Sequence, residues 1–234
     1  MAKQTRLDDD AFIYQPRKDQ TEKEKLSEMP FRKKIEYLME YYKFHALVGL
    51  VVIAFVIYIV NTLLHPAAST QFYAAIINST MDEQVSKQYS EDFSKYLKLN
   101  PSKESVEFSA TYNFDLKDSY SSQLREVLVT RISAKQVDVI IAPESEFYNY
   151  CYAGGFLKLS DLLPTDLYSS LTDKFYTTHT QYDADQTAYG IYLKDTPLKK
   201  YFPDDSQNYV MGIVSNSEHV DNSISFIQFL FNKK

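Results

Sequence analysis

The sequence contains no tryptophan, one cysteine and five glycines in 234 residues, and each shortage excludes something. With Cys151 alone, no disulfide can close within the chain and no cysteine-based zinc site can form. A domain of this size lacking disulfides outside a membrane fits a bacterium better than a secreted eukaryotic setting. Five glycines leave little material for a phosphate-cradling loop. The chain has no P-loop, no G-x-S-x-G and no H-E-x-x-H. Its four histidines, His45, His65, His179 and His219, do not fall at metal-site spacing. Asp183 and Asp185 form a D-x-D without the Gly and Glu of a calcium loop, so they read as a solvated loop. Asp204-Asp205 after Pro203 reads as a turn. Cys151 lacks a recognisable His partner and reads as a small hydrophobe. No enzyme activity and no cofactor are expected. The net charge of −6 and pI near 5.3 argue against nucleic acid as a partner, because phosphate binding needs clustered Lys and Arg.

What the sequence does have is one long apolar run. Ala46 to Leu64 is 19 residues without a charge, and 13 of them are Leu, Ile, Val or Phe. As a helix it spans roughly 29 Å, the thickness of a bilayer's hydrocarbon core. Those 13 residues favour insertion by roughly 4–8 kcal/mol. A buried helix of a soluble protein would show one polar face, and this run shows none. Arg32, Lys33, Lys34 and Lys43 precede the run, and the first basic residue after it is Lys87. The positive-inside rule then predicts a cytoplasmic N-terminus and an extracellular C-terminal domain. Ala67-Ala68-Ser69 resembles a signal-peptide cleavage site. The long segment before the run and the length of the run favour an uncleaved anchor in the cell membrane.

Residues 1–30 are polar with mixed charge and predict a disordered cytoplasmic segment. From 31 to 45, Ile35, Leu38, Met39 and Tyr42 recur at helical spacing behind Pro30. This predicts an amphipathic helix at the inner membrane surface, running into the transmembrane helix at 46–64. Its basic and aromatic residues suit an interfacial belt, and docking of a cytoplasmic partner is the alternative.

Residues 66–234 predict the extracellular domain. Gln71–Ile77 and Val137–Ala142 read as strands apolar on both faces. Val106 to Phe114 alternates strictly, as a half-buried strand near a sheet edge does. Helices are predicted over 82–99 and over 119–135, the latter capped by Asp118 or Ser119. The β-α-β-α-β order predicts a three-layer α/β domain with a mostly parallel sheet and strand order 2-1-3. Beyond it, 145–153, 164–175 and about 218–231 read as helices, and Ala188–Leu193 and Tyr209–Val214 as strands.

In open α/β sheets ligands bind outside the carboxyl ends of the strands, where the order reverses. That places Asn78, Ser79, Thr80, Glu144 and Ser145 at the candidate site, with Tyr148, Tyr150 and Tyr152 just beyond. The short polar residues could instead cap the helices that follow.

Three segments carry a family resemblance. DVIIAPESEFYNYCYAGGFLKLSDLLP (138–164) resembles a segment of bacterial extracellular solute-binding proteins, the receptors of ABC importers. YGIYLKDTP (189–197) is similar to that family's hinge-region strand. MGIVSNSEHVDNSISFIQFL (211–230) resembles its late strand, cap and helix. The resemblance implies a periplasmic-binding-protein-like lobe that binds a small solute or assists a transporter. The gaps between the later strands leave no room for a second lobe, so it implies a one-lobe, membrane-anchored derivative. The competing expectation is a non-catalytic envelope interaction or assembly protein that binds another protein or cell-wall glycan. The solute-binding expectation calls for an open polar crevice, the interaction expectation for an exposed Tyr-rich patch.

Overall fold

The structure, a computed structural model, describes residues 29–64, 68–115, 119–203 and 207–231, together with 21, 23, 24 and 27. Most of the expected disordered segment lies outside the described residues. So do His65, the Ala67 of the cleavage-like site, the Asp118 cap and the Asp204-Asp205 turn. The chain divides into two compact units, Met1–Pro66 and Ala67–Lys234.

In the first unit, Phe31–Leu64 forms one uninterrupted helix, α1. The Pro30 carbonyl accepts the first helical bond from the Lys34 N–H, which suits a residue that has no N–H of its own to satisfy. At 1.5 Å per residue α1 is about 51 Å long, well beyond a bilayer core of about 30 Å. Its stretch Tyr42–Leu64 has a mean hydropathy of 2.7 and buries nothing, so it is long and apolar enough to cross a membrane. The juxtamembrane segment and the apolar run are thus one rod, in which Phe31, Ile35, Met39 and Tyr42 stand exposed.

The second unit is α/β. It runs β1 (Ser69–Ile77), α2 (Glu83–Tyr96), β2 (Glu104–Tyr112), α3 (Ser119–Ser133), β3 (Val139–Pro143), α4 (Glu144–Tyr152), α5 (Thr165–Ser170), β4 (Phe175–Thr178), β5 (Thr187–Tyr192), β6 (Tyr209–Ile213) and α6 (Val220–Phe231). The six strands form one sheet of order β2-β1-β3-β6-β5-β4. The first three are parallel, in the order 2-1-3, with β2 at the edge.

The sheet is mixed rather than mostly parallel: two pairings are parallel and three antiparallel. Parallel neighbours need a crossover, usually a helix. Among the described residues the connections over 179–186 and 193–208 hold no α-helix, and β4, β5 and β6 turn back on one another. Of the helix expected over 164–175, α5 forms, and Phe175 instead opens β4.

Strand alternation divides the core. Phe72, Ala74 and Ile76 of β1 face α2 and α6, where Phe72, Phe93 and Phe226 meet with ring centroids 4.9–5.2 Å apart. Tyr73, Ala75 and Ile77 face the other way, onto Leu128 of α3 and Phe147 of α4. There Phe147 stacks on Phe156 at 4.3 Å and lies over two strand glycines. A Cβ at Gly190 would stand 2.4 Å from Val210 Cγ1 and 2.7 Å from Phe147 Cζ, and one at Gly212 would stand 2.8 Å from both phenyl rings. Two of the five glycines thus let an aromatic pair seat on the antiparallel half.

Phe226→Ala should therefore lower the unfolding free energy of the second unit by about 3–5 kcal/mol. Gly190→Ala should lower it by about 1–3 kcal/mol, through a clash rather than a cavity. Urea unfolding of the detergent-solubilised chain measures both; a Gly190→Ala protein as stable as the parent would refute the seating of Phe147.

Candidate functional site

At the carboxyl ends of β1 and β3, the expected site residues are engaged with the chain itself. Asn78 is 7% exposed and holds a left-handed backbone at φ 54°. Its side-chain oxygen accepts from Phe114 N–H at 2.6 Å, and its carbonyl accepts from the Tyr209 hydroxyl at 2.5 Å. Ser79 and Thr80 donate their hydroxyls to the Tyr201 carbonyl, and the Thr80 N–H donates to the same oxygen. Phe202 stacks on Tyr209 at 3.9 Å. The connection after β5 is therefore fastened across the end of β1. Glu144 accepts from Asn208 Nδ2 at 3.3 Å, while its N–H donates to the Asn208 carbonyl. Ser145 is exposed. Beside this end, Tyr192, Lys194, Phe202, Asn208 and Tyr209 line a small cavity of about 200 Å³.

Tyr148 belongs to a different surface. With Tyr152, one turn further along α4, it stands out from the fold; the two are 36% and 43% exposed. The His179 ring lies 6.3 Å from Tyr148 and 6.0 Å from Tyr152, edge-on to both. Tyr182, 78% exposed, lies over Gly154, whose φ of +80° ends α4; a Cβ there would meet the Tyr182 ring at 2.9 Å.

The loop that carries His179 and Tyr182 is fixed from several sides. The Thr180 hydroxyl accepts from the N–H groups of Tyr182 and Asp183, and the Gln181 N–H donates to the Tyr152 carbonyl. Asp183 accepts from Lys158 Nζ at 2.5 Å and from the Asp185 N–H at 3.1 Å. The Lys158 hydrogen bond, followed by the Asp185 N–H, holds the Asp183 carboxyl below the usual carboxylate range. The D-x-D is thus a turn anchor. On the far side of α4, Arg125 forks onto Glu146 with two bonds of 2.7 Å and covers Phe114 at 4.2 Å, fastening α4 to α3. That bond to Glu146 raises the Arg125 pKa further.

A third arrangement lies at the opposite, amino end of the strands, and sequence reasoning missed it. The Asp138 carboxylate is 2% exposed and accepts from Tyr73 N–H at 2.8 Å, Ser217 Oγ at 2.6 Å and His219 Nδ1 at 3.2 Å. Around it opens a cavity of about 480 Å³. The only hint in the sequence was an aspartate opening an otherwise apolar strand. Its partners lie 65–81 residues away, beyond the reach of any spacing rule.

Cys151 is fully buried, and burial pushes its thiol up to about 12. Burial, then Tyr201 and Asp92, pushes Tyr89 up to about 12. Burial and the nearby Glu144 do the same to Tyr192. Burial, then its hydroxyl bond to Tyr73, raises Tyr112 further. Among the described residues no group of three or more His, Cys, Asp or Glu is placed to hold a metal ion. No family model, no curated protein and no solved structure matches the chain.

These raised values predict alkaline lability. Ordinary values are 9.0 for the thiol and 10.0 for tyrosine, so above them only the unfolded chain ionises. Stability should be unaffected by these groups below about pH 9 and should fall as pH rises from there through about 12. Urea midpoints across that range measure the fall. At pH 8 burial keeps the native thiol protonated and unreactive. Disulfide-exchange reagents should therefore label Cys151 only after unfolding; fast labelling of the native chain would contradict its burial.

Proposed function

We propose that this protein is a membrane-anchored, non-catalytic interaction module of the bacterial cell envelope. α1 holds it in the cell membrane as a single pass, the basic residues before the apolar stretch keep the N-terminus cytoplasmic, and the α/β unit works outside the cell. Its partner is another envelope protein, received on the face formed by Tyr148, Tyr152, His179 and Tyr182. The observation that carries this reading is the exposure of three tyrosines on a framework fixed by Thr180, the Lys158–Asp183 pair and Gly154. Tyrosine supplies a large amphipathic contact at low conformational cost and is enriched at binding hot spots. A rigid loop has little ordering entropy left to lose on binding.

The alternative, a one-lobe solute-binding module, draws support from the parallel 2-1-3 half of the sheet. Against it, Asn78, Ser79, Thr80 and Glu144 spend hydrogen bonds on residues 201–209, so a solute would have to displace that connection.

Two experiments separate these readings. A reporter fused after Lys234 should be active only outside the cytoplasm; activity inside would end the anchoring proposal. A photo-crosslinker at Tyr182 in living cells should give a discrete protein adduct. Tyr148→Ser with Tyr152→Ser should reduce it about 30-fold or more, the effect of losing a hot spot of about 2 kcal/mol, while the unfolding midpoint barely moves. Tyrosine-dependent sedimentation with purified cell wall would transfer the proposal to glycan. A thermal shift with sugars, peptides or amino acids, unaffected by the tyrosine changes, would favour the solute-binding alternative.

A further inference from the structure

The cavity at the amino ends of β1 and β3 is lined by two cations, Arg131 and Lys135. Arg131, near the end of α3, is half-buried, with its guanidinium 5.1 Å from the Tyr73 ring centre. Among the described residues that guanidinium makes no hydrogen bond and no ion pair. One face is spent on the aromatic ring, while the planar fork of N–H donors is left open to solvent. Lys135, one turn later, also lines the cavity, as does His219 at the start of α6.

Three carboxylates, Glu107, Asp138 and Glu218, share the lining. Asp138 is held by three donors, a backbone N–H, a hydroxyl and an imidazole, which occupy its oxygens and leave its charge in place. Because a carboxylate only accepts, the His219 bond to it fixes a proton on Nδ1 and holds the ring in place. Glu218 is paired with Lys135 at 3.0 Å, both side chains more than half exposed, so the pair is weak and exchangeable. Glu107 stands exposed on the β2 side of the cavity.

We propose that this cavity binds a phosphate-bearing ligand, the Arg131 fork and the Lys135 ammonium taking the phosphate oxygens. A guanidinium fork matches phosphate geometry bidentately, and an ammonium adds a second cation without demanding direction. A volume of about 480 Å³ exceeds inorganic phosphate and suits a phosphate ester. The ester could be soluble or a phospholipid headgroup. Ser69 and Thr70 line the cavity, and residues 65–68 alone separate them from α1 in the sequence. This site shares no residue with the tyrosine face.

The test uses the full chain in phosphatidylcholine nanodiscs and reads hydrogen exchange in 69–73 and 131–138. One arm adds inorganic phosphate or glycerol phosphate. The other replaces part of the lipid with phosphatidylglycerol. Added protection of both segments is expected in at least one arm, and the responding arm identifies the source. Arg131→Gln should raise the phosphate or anionic lipid needed for half-maximal protection about 10- to 100-fold, the weight of a charge-assisted hydrogen bond pair. Lys135→Gln should raise it less. Unchanged exchange in β3 and β6 shows that each variant is folded; if Arg131→Gln fails that check, Arg131→Lys, which keeps the charge and removes the fork, replaces it. Protection that persists undiminished in the Arg131 variants, or no protection in either arm, would overturn the proposal.

Discussion

The demand of one apolar helix for an apolar surrounding governs how this chain can work. Along Tyr42–Leu64 of α1 the large side chains stand open, Leu50, Ile53 and Phe55 each more than 60% exposed. Removing one such side chain from water is worth about 1.5–3 kcal/mol. Summed over the stretch, this exceeds the roughly 5–15 kcal/mol that stabilises an ordinary domain. Among the described residues nothing covers this stretch, which is long and apolar enough to cross a bilayer. Under the proposed anchoring, a partner confined to the same membrane would meet the α/β unit at a high effective concentration, so a modest face of three tyrosines would suffice.

The parts of the fold legible in the sequence were those whose pattern is local. β1 and β3 read as strands because every residue from Phe72 to Ile77, and from Val139 to Ala142, is apolar, and both prove buried on two faces. β2 showed its edge position through alternation, with Glu107 and Thr111 directed outward. Strand direction has no such local signature. Whether β6 meets β3 parallel or antiparallel depends on how the chain returns, and the described part of the path over 193–208 holds a short 3-10 turn at Pro197–Tyr201. β4 was missed because four residues are too few for a period to emerge, and the helical signal of Asp166–Ser170 ran into it. The same limit applies to the sites. Tyr148 and Tyr152, one helical turn apart, were visible as neighbours, whereas His179 and Tyr182 joined them only through the fold. Asp138 could not be associated with Ser217 and His219, which lie 79 and 81 residues further along the chain.

The two ends of the sheet divide the labour in a way opposite to the usual rule for open α/β folds, where ligands sit at the carboxyl ends of the strands. Here the carboxyl end of β1 is fastened: Tyr209 donates to the Asn78 carbonyl, Thr80 holds Tyr201, and Phe202 stacks on Tyr209. The cause lies in the antiparallel half. When β6 enters the sheet beside β3 in the reverse direction, the connection that precedes it must arrive at the carboxyl ends of β1 and β3. It brings its own aromatic and polar groups to the place a ligand would occupy. At the amino end β1 begins, Asp138 immediately precedes β3, and the chain leaving β6 passes through Ser217 and His219 into α6. A buried carboxylate left without donors would be costly, by several kcal/mol. Satisfying it with two side chains from that exit segment holds a histidine in the cavity that Arg131 also lines. Reversing half of the sheet therefore seals the customary binding edge and leaves the polar cavity at the other.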